Sequence, residues 1–523
     1  MKGFTFRALL TVVAIAFTSL CTMAQQGFTN PVLPGFHPDP SVCRVGNDFY
    51  LVNSTFQFFP GVPVYHSTDL IHWEQVGHCL TRRSQLELKE SNNSGGIWAP
   101  TIRYHNGKFY MITTNWAGMG NFFVTADRPE GPWSEPVKVD QDGIDPTLFW
   151  DTDPVTGEEK CYYVGNAWGG ILLTQIDLKT GERIGERKLI WQGTGGRYPE
   201  GPHLYKRDGW YYLLIAEGGT EFSHKVTMAR SRDIWGPYES NPANPVMTHL
   251  TQAGQDNTIQ GVGHADLVQA PDSSWWAVAL AFRWQTGTHH LLGRETFLMP
   301  VQWDKGEWPV FNGGKCINVD MKCPTLPQHP VAVPPATITF GPGKAFDMRL
   351  NFLCNPIETN YSQTERHGFL RLKAGNKTLD DNGSPTFIGV RQTAIDQTVS
   401  TDIDASGLKS GGRAGLTAYM AGHYHYDIAV VNNGGKWLAQ VRYQLGCMTH
   451  IEKEIALDSP RAHIAIKGTA HRYHFEVNGQ KIASMDTKFI STETAGGFTG
   501  IYWGAFCDGT AGSHADIPSL TVE

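Results

Sequence analysis

Short runs of aromatic and β-branched residues recur along the first three hundred positions of the chain. They are Phe49-Tyr50-Leu51-Val52, Phe109-Tyr110-Met111-Ile112, Tyr162-Tyr163-Val164, Trp210-Tyr211-Tyr212-Leu213-Leu214 and Trp275-Trp276-Ala277-Val278. Apolar runs this short, bounded by Gly, Asn and Asp, predict strands rather than helices. Their spacing is about fifty to sixty-five residues, and five β-units at that period predict the blades of a five-bladed β-propeller.

A second phrase precedes each run. It reads Asp39-Pro40-Ser41, Ala99-Pro100-Thr101, Asp145-Pro146-Thr147, Gly201-Pro202-His203 and, in degenerate form, His264-Ala265-Asp266. Each phrase is expected to start an innermost strand, with the aromatic run as the next strand out. The intervening Asn106-Gly107 and Asp208-Gly209 are strong hairpin signals. A third phrase, Ser67-Thr68-Asp69-Leu70-Ile71-His72-Trp73, returns as Ser231-Arg232-Asp233-Ile234-Trp235 and in variant form ends at Trp133. Its Trp residues are expected to pack between neighbouring blades.

The aromatic repeat stops near Val310. Residues 324–335 carry five Pro in twelve positions, which predicts an extended linker. Beyond it, short β-type runs such as Tyr473-His474-Phe475-Glu476-Val477, closed by Asn478-Gly479, predict a β-sandwich over 336–523. The whole chain is therefore expected to be all-β, with a propeller over 25–323.

Residues 1–24 stand apart. Lys2 and Arg7 precede an apolar run from Ala8 to Leu20 and a small-residue end at Ala24, the pattern of a cleaved secretory signal. Leu20 before Cys21 is bulkier than a lipid-anchor site uses. An exported protein without a membrane span, periplasmic or secreted, is the expectation. Loss of this leader removes two positive charges and takes the formal net charge from −7 to −9. A mildly acidic surface argues against nucleic acid and fits a neutral substrate. The eight remaining Cys lack CxxC spacing, which argues against zinc, and their pairing is left open. With 16 Trp, 18 Tyr and 26 Phe, the chain has aromatics enough for a core and for sugar-binding walls.

Innermost propeller strands run along a central channel, so their starting residues meet at its mouth. Asp39, Asp145 and, one position early, Glu200 would then converge. Three carboxylates aimed into one funnel are costly unless chemistry requires them. Glycoside hydrolysis uses one carboxylic acid to protonate the leaving oxygen and one carboxylate to activate water. A third carboxylate beside the acid would hold it protonated.

The stretches Asn30–Ser41, Gly96-Ile97-Trp98-Ala99-Pro100, Ile144-Asp145-Pro146, Pro199-Glu200-Gly201-Pro202 and Leu292-Gly293-Arg294-Glu295-Thr296 resemble glycoside hydrolase family 43. The likeness is to its β-xylosidases and α-L-arabinofuranosidases that carry a C-terminal β-sandwich (concanavalin-like). It implies inversion at the anomeric carbon, with Asp39 as general base, Glu200 as general acid and Asp145 tuning and orienting the acid. It also implies Arg294 as a substrate contact beside the catalytic group. Similar enzymes place a His at the His264 position, in some cases touching a structural calcium, although one His is a poor site for an ion that prefers oxygen. No redox or organic cofactor is expected.

Trp98 and Phe58 are candidates for the apolar wall against a sugar ring. In similar enzymes a loop of the sandwich closes the pocket, and Phe506 is the candidate here. The expected substrate is a plant cell-wall oligosaccharide of the xylan, arabinoxylan or arabinan type, losing terminal xylose or L-arabinofuranose. One alternative is a retaining five-bladed glycosidase of the fructan or sucrose type, which needs carboxylates about 5–5.5 Å apart against about 6.5–9.5 Å for inversion. The other is a non-catalytic carbohydrate-binding propeller. The sequence leaves the oligomeric state open.

Overall fold

The computed structural model describes residues 27–153, 155–167, 169–251, 254, 257–323 and 325–523. The predicted leader, residues 1–24, lies outside them. Strands dominate throughout, as the short bounded runs predict. Five antiparallel sheets follow one another along the first part of the chain, four with four strands and one with a fifth strand added. Their first strands are Ser41–Val45, Gly96–His105, Ile144–Thr152, Glu200–Arg207 and Ile259–Gln269. Each first strand touches the next, and the fifth touches both the fourth and the first. The five sheets thus form a closed ring with their first strands innermost.

Local chemistry explains the hairpins. Asn106 and Gly107 adopt φ of 46° and 81°, and Asp208 and Gly209 φ of 52° and 74°. Two consecutive left-handed residues make the tight turn whose twist matches antiparallel strands. The recurring Ser-x-Asp phrase is also structural. The buried Asp69 carboxylate accepts hydrogen bonds from the Ile71 and His72 backbone N–H groups, and the Trp73 indole donates to Leu70 O. Trp73 packs among residues of the first and fifth sheets, and Trp235 meets Tyr162 of the preceding sheet edge-on at 6.0 Å. The interblade role expected for these Trp residues is what the packing shows.

The ring is fastened at its seam. Gly27–Thr29 pairs with Asp320–Lys322, and the Val32 N–H donates to Thr296 O at 2.9 Å. No described residue between Lys322 and Thr337 joins a strand. Thr337–Thr339 then enters a nine-stranded antiparallel sheet that packs face to face on a six-stranded one, forming the C-terminal β-sandwich. The two parts share a core: Leu86, Leu88 and Ile97 belong to the same apolar cluster as Phe340, Leu350 and Ile388. Phe58–Phe59 pairs directly with Phe352–Leu353 across the junction.

Candidate active site

The five phrase-starting residues share an unusual backbone. Asp39, Ala99, Asp145, Gly201 and His264 have φ of 51°, 41°, 56°, 57° and 48°. Four of the five innermost strands also shift register there, between Trp98 and Thr101, Ile144 and Thr147, Glu200 and His203, and Gly263 and Asp266. A bulge of this kind bends a strand and re-aims one side chain. Left-handed backbone at four non-glycine positions is a cost that persists where surrounding structure fixes it. Here it turns Asp39, Ala99, Asp145 and His264 into one cavity of about 750 Å³, and Glu200 lines the same cavity.

The early placement of the carboxylate on the fourth innermost strand, Glu200, has a steric cause. A Cβ on Gly201 would lie 2.9 Å from His264 Nδ1, so the left-handed slot on this strand admits only glycine. The acid sits on the preceding residue instead. Gly201 still contributes, since its N–H donates to Asp145 Oδ2 at 3.0 Å.

The three carboxyl groups have different surroundings. Asp39 Oδ1 accepts from Arg294 Nη1 at 2.6 Å, and Oδ2 accepts from Ser54 Oγ at 2.6 Å. Burial works against the Asp39 charge, but Arg294, His264 and the Ser54 hydroxyl outweigh it and hold the carboxyl below its ordinary range. Asp145 is pushed up to about 6, first by burial and further by Asp39, with His264 opposing. Glu200, partly exposed to the cavity, is raised well above the ordinary value by desolvation, then by the charges of Asp145 and Asp39. One pocket thus holds one carboxyl shifted toward its ionised form and one shifted toward its protonated form, the pairing that acid–base hydrolysis requires.

Comparison with known proteins identifies the family. The family model "Glycosyl hydrolases family 43" matches residues 28–309, more than half of the chain. The chain belongs to glycoside hydrolase family 43. A second model, "Beta xylosidase C-terminal Concanavalin A-like domain", matches 339–523. The glycosidase is 38% identical over 521 residues to the non-reducing end α-L-arabinofuranosidase BoGH43B of Bacteroides ovatus, covering 98% of this chain and 96% of that protein. It is 38% identical to a xylosidase/arabinosidase of Butyrivibrio fibrisolvens, over 94% of this chain and 99% of that one. Among solved structures it resembles the xylan β-1,4-xylosidase of Bacillus halodurans, with TM-score 0.87 and 34% identity over 95% and 100% of the two chains.

In this family 43 enzyme, Arg294 and Trp98 line the cavity as expected from sequence. Phe58 does not. It is fully buried at the junction with the sandwich, stacked on Tyr502 with ring centroids 3.9 Å apart. Phe56, two residues earlier, is the wall residue. Phe506 is also displaced from its expected place: it is buried in the sandwich core beside Phe387 and Tyr419, and does not line the cavity. The sandwich reaches the site through Thr492, Glu493 and 496–499, and its aromatic wall is Phe498, which lies over Phe56 at 5.9 Å and edge-on to Trp98 at 5.7 Å. Tyr198, Thr220, Trp284 and His290 are among the further lining residues that went unread in the sequence. Tyr198 adjoins Pro199-Glu200, a position that could have marked it.

Around the channel the side chains near His264 are His203 and His224, whose Nε2 atoms are buried without partners. Nearby Asp266 is committed, accepting from Ser41, Arg103 and Tyr205. Calcium takes six to eight oxygen ligands. A nitrogen-rich set with its carboxylate engaged does not fit calcium through direct side-chain ligation. Among the described residues no helix is long and apolar enough to cross a membrane.

Proposed function

We propose that this glycosidase is exo-acting and inverting, and that it releases terminal xylose or L-arabinofuranose from xylan, arabinoxylan or arabinan oligosaccharides. The observation that carries this reading is that two carboxyl groups in one pocket are pushed in opposite directions, Asp39 down beside Arg294 and Ser54 and Glu200 up by burial and two neighbouring carboxyls. Asp39 takes a proton from a water as that water's oxygen bonds to the anomeric carbon. Glu200 gives its proton to the glycosidic oxygen as the opposite bond breaks. Asp145, held by the Gly201 N–H, keeps Glu200 protonated through its charge. Arg294 keeps Asp39 ionised and has further N–H groups for sugar hydroxyls.

The five closed sheets are read as a five-bladed propeller over 25–323, with 324–335 as linker and 336–523 as sandwich. Residues 1–24 are read as a cleaved export signal. The names of the relatives, which include both xylosidase and arabinofuranosidase, support terminal pentose as the sugar removed. A pocket walled by Phe56, Trp98 and Phe498 suits one apolar sugar face.

The test is hydrolysis of the 4-nitrophenyl β-xyloside and α-L-arabinofuranoside and of arabinoxylan oligosaccharides, with NMR of the first-formed anomer. The expected result is an inverted product and loss of activity on oligosaccharides in Asp39→Ala and Glu200→Ala. Near-wild-type rates in both variants would remove the assignment, and a retained anomer would remove inversion.

A further inference from the structure

Arg294 lies where the two parts of the molecule meet, bonded to Asp39 of one and to Phe498 O of the other. It ends a loop that runs from Trp284, pairs with itself only at the isolated bridge Thr286 to His289, and enters the strand Glu295–Gln302. Its own half of the chain holds the backbone by the His37 N–H on Arg294 O at 3.0 Å and by Leu291 N on Gln285 Oε1 at 2.8 Å. The sandwich adds more. Glu493 uses both carboxylate oxygens on one residue of that loop: His290 N donates to Oε2 at 2.9 Å and His290 Nδ1 to Oε1 at 2.6 Å. Thr492 N returns a bond to His290 O at 3.1 Å, and Ile501 N donates to Leu291 O at 3.0 Å. Gly293 and Gly500 meet so closely that a Cβ on Gly293 would stand 2.9 Å from Gly500 Cα.

The clamp reaches the reacting group. Arg294 Nη2 donates to Phe498 O at 3.3 Å while Nη1 donates to Asp39. The guanidinium carbon sits 5.5 Å from the ring centroids of both Phe56 and Phe498. Phe498 is fixed in turn by its N–H on Ser94 Oγ at 2.8 Å. Glu493 is half-sheltered, and burial works against its charge, yet the His290 contacts hold its carboxyl below the ordinary range. A loop fixed at 290, 291 and 294 by one segment of the other domain cannot re-aim its arginine independently of that segment.

We propose that Glu493 is a positioning residue of the hydrolytic reaction: by clamping His290 it sets the aim of Arg294 at Asp39. This rests on the catalytic reading of Asp39 given above. Glu493 also lines the cavity, and the role proposed here is a separate one, exerted through Arg294.

The experiment is a double-mutant cycle on the full-length enzyme with the aryl pentoside. Glu493→Ala is expected to lower kcat about 10- to 100-fold, the scale of an ångström's misplacement of a catalytic group. Glu493→Gln keeps one acceptor for two donors, and is expected to lose about three- to tenfold by the same misplacement. In an Arg294→Ala background, adding Glu493→Ala is expected to change kcat less than about twofold, since coupled residues are not additive. A purely structural Glu493 would instead give losses that multiply, and that outcome overturns the proposal. So does a full-rate Glu493→Gln. Glu493→Gln with an unchanged thermal midpoint keeps the test valid if the alanine variant does not fold. Failure of the catalytic reading shows separately, as activity retained in Asp39→Ala and Glu200→Ala.

Discussion

The two sides of the pocket differ in how their carboxyl groups are held. On one side Asp39 has both oxygens engaged, by an arginine and a serine. On the other, Glu200 meets no hydrogen-bond donor of the protein among the described residues, and faces two carboxylates. Burial alone would push both acids the same way. At Glu200 burial is left to act and the neighbouring carboxyls add to it, whereas at Asp39 the partners reverse it, and the proposed division into acid and base rests on that difference.

That contrast can be broken from the acid side first. Glu200→Gln is expected to lose about 10²–10⁴ in kcat on sugar leaving groups, the usual scale for general acid catalysis. A dinitrophenyl leaving group, which needs no proton, should restore much of that rate, whereas Asp39→Asn should stay slow with both substrates. Equal rescue of the two variants would put the roles in the wrong order.

A smaller effect is expected from the third carboxyl. Activity needs Asp39 ionised and Glu200 protonated, so kcat/KM falls at low pH as Asp39 gains a proton and at high pH as Glu200 loses one. Asp145→Asn removes a charge that raises Glu200. Its alkaline limb should therefore move to lower pH, read from the pH profile of kcat/KM. The smallest change is Ser54→Ala. It deletes a hydrogen bond to ionised Asp39, so the acid limb should move up by about one pH unit or less. An acid limb moving down would contradict the assignment.

The convergence of the carboxyls was legible in the sequence because the repeat keeps its frame while one residue changes. A self-similar unit fixes where its first strand points, and so where Asp39, Asp145 and Glu200 go. The walls were less legible. Phe56 and Phe58 would share a face if the backbone alternated, but Phe56 has φ of 50° and the alternation fails there. Every residue of the strand Tyr502–Asp508 is buried, so nothing in its pattern separates Phe506 in the core from a pocket residue. Phe498 did carry a signal. Gly496-Gly497 precede it, and a Cβ on Gly497 would stand 2.6 Å from Ser94 Oγ, a close approach to the other domain that only glycine allows.

The paired strands Phe58–Phe59 and Phe352–Leu353 carry a consequence for the molecule as a material object. They stitch ring and sandwich together with backbone hydrogen bonds over a shared apolar core. Domains joined by small polar interfaces rock against each other, and a large apolar seam removes that freedom. Cutting the chain at the proline-rich stretch would bare Phe58, Phe352 and Leu353 to water on raw strand edges, which are templates for aggregation. The two parts are therefore expected to melt in a single transition, and neither half is a spare part that can be swapped out without rebuilding the seam.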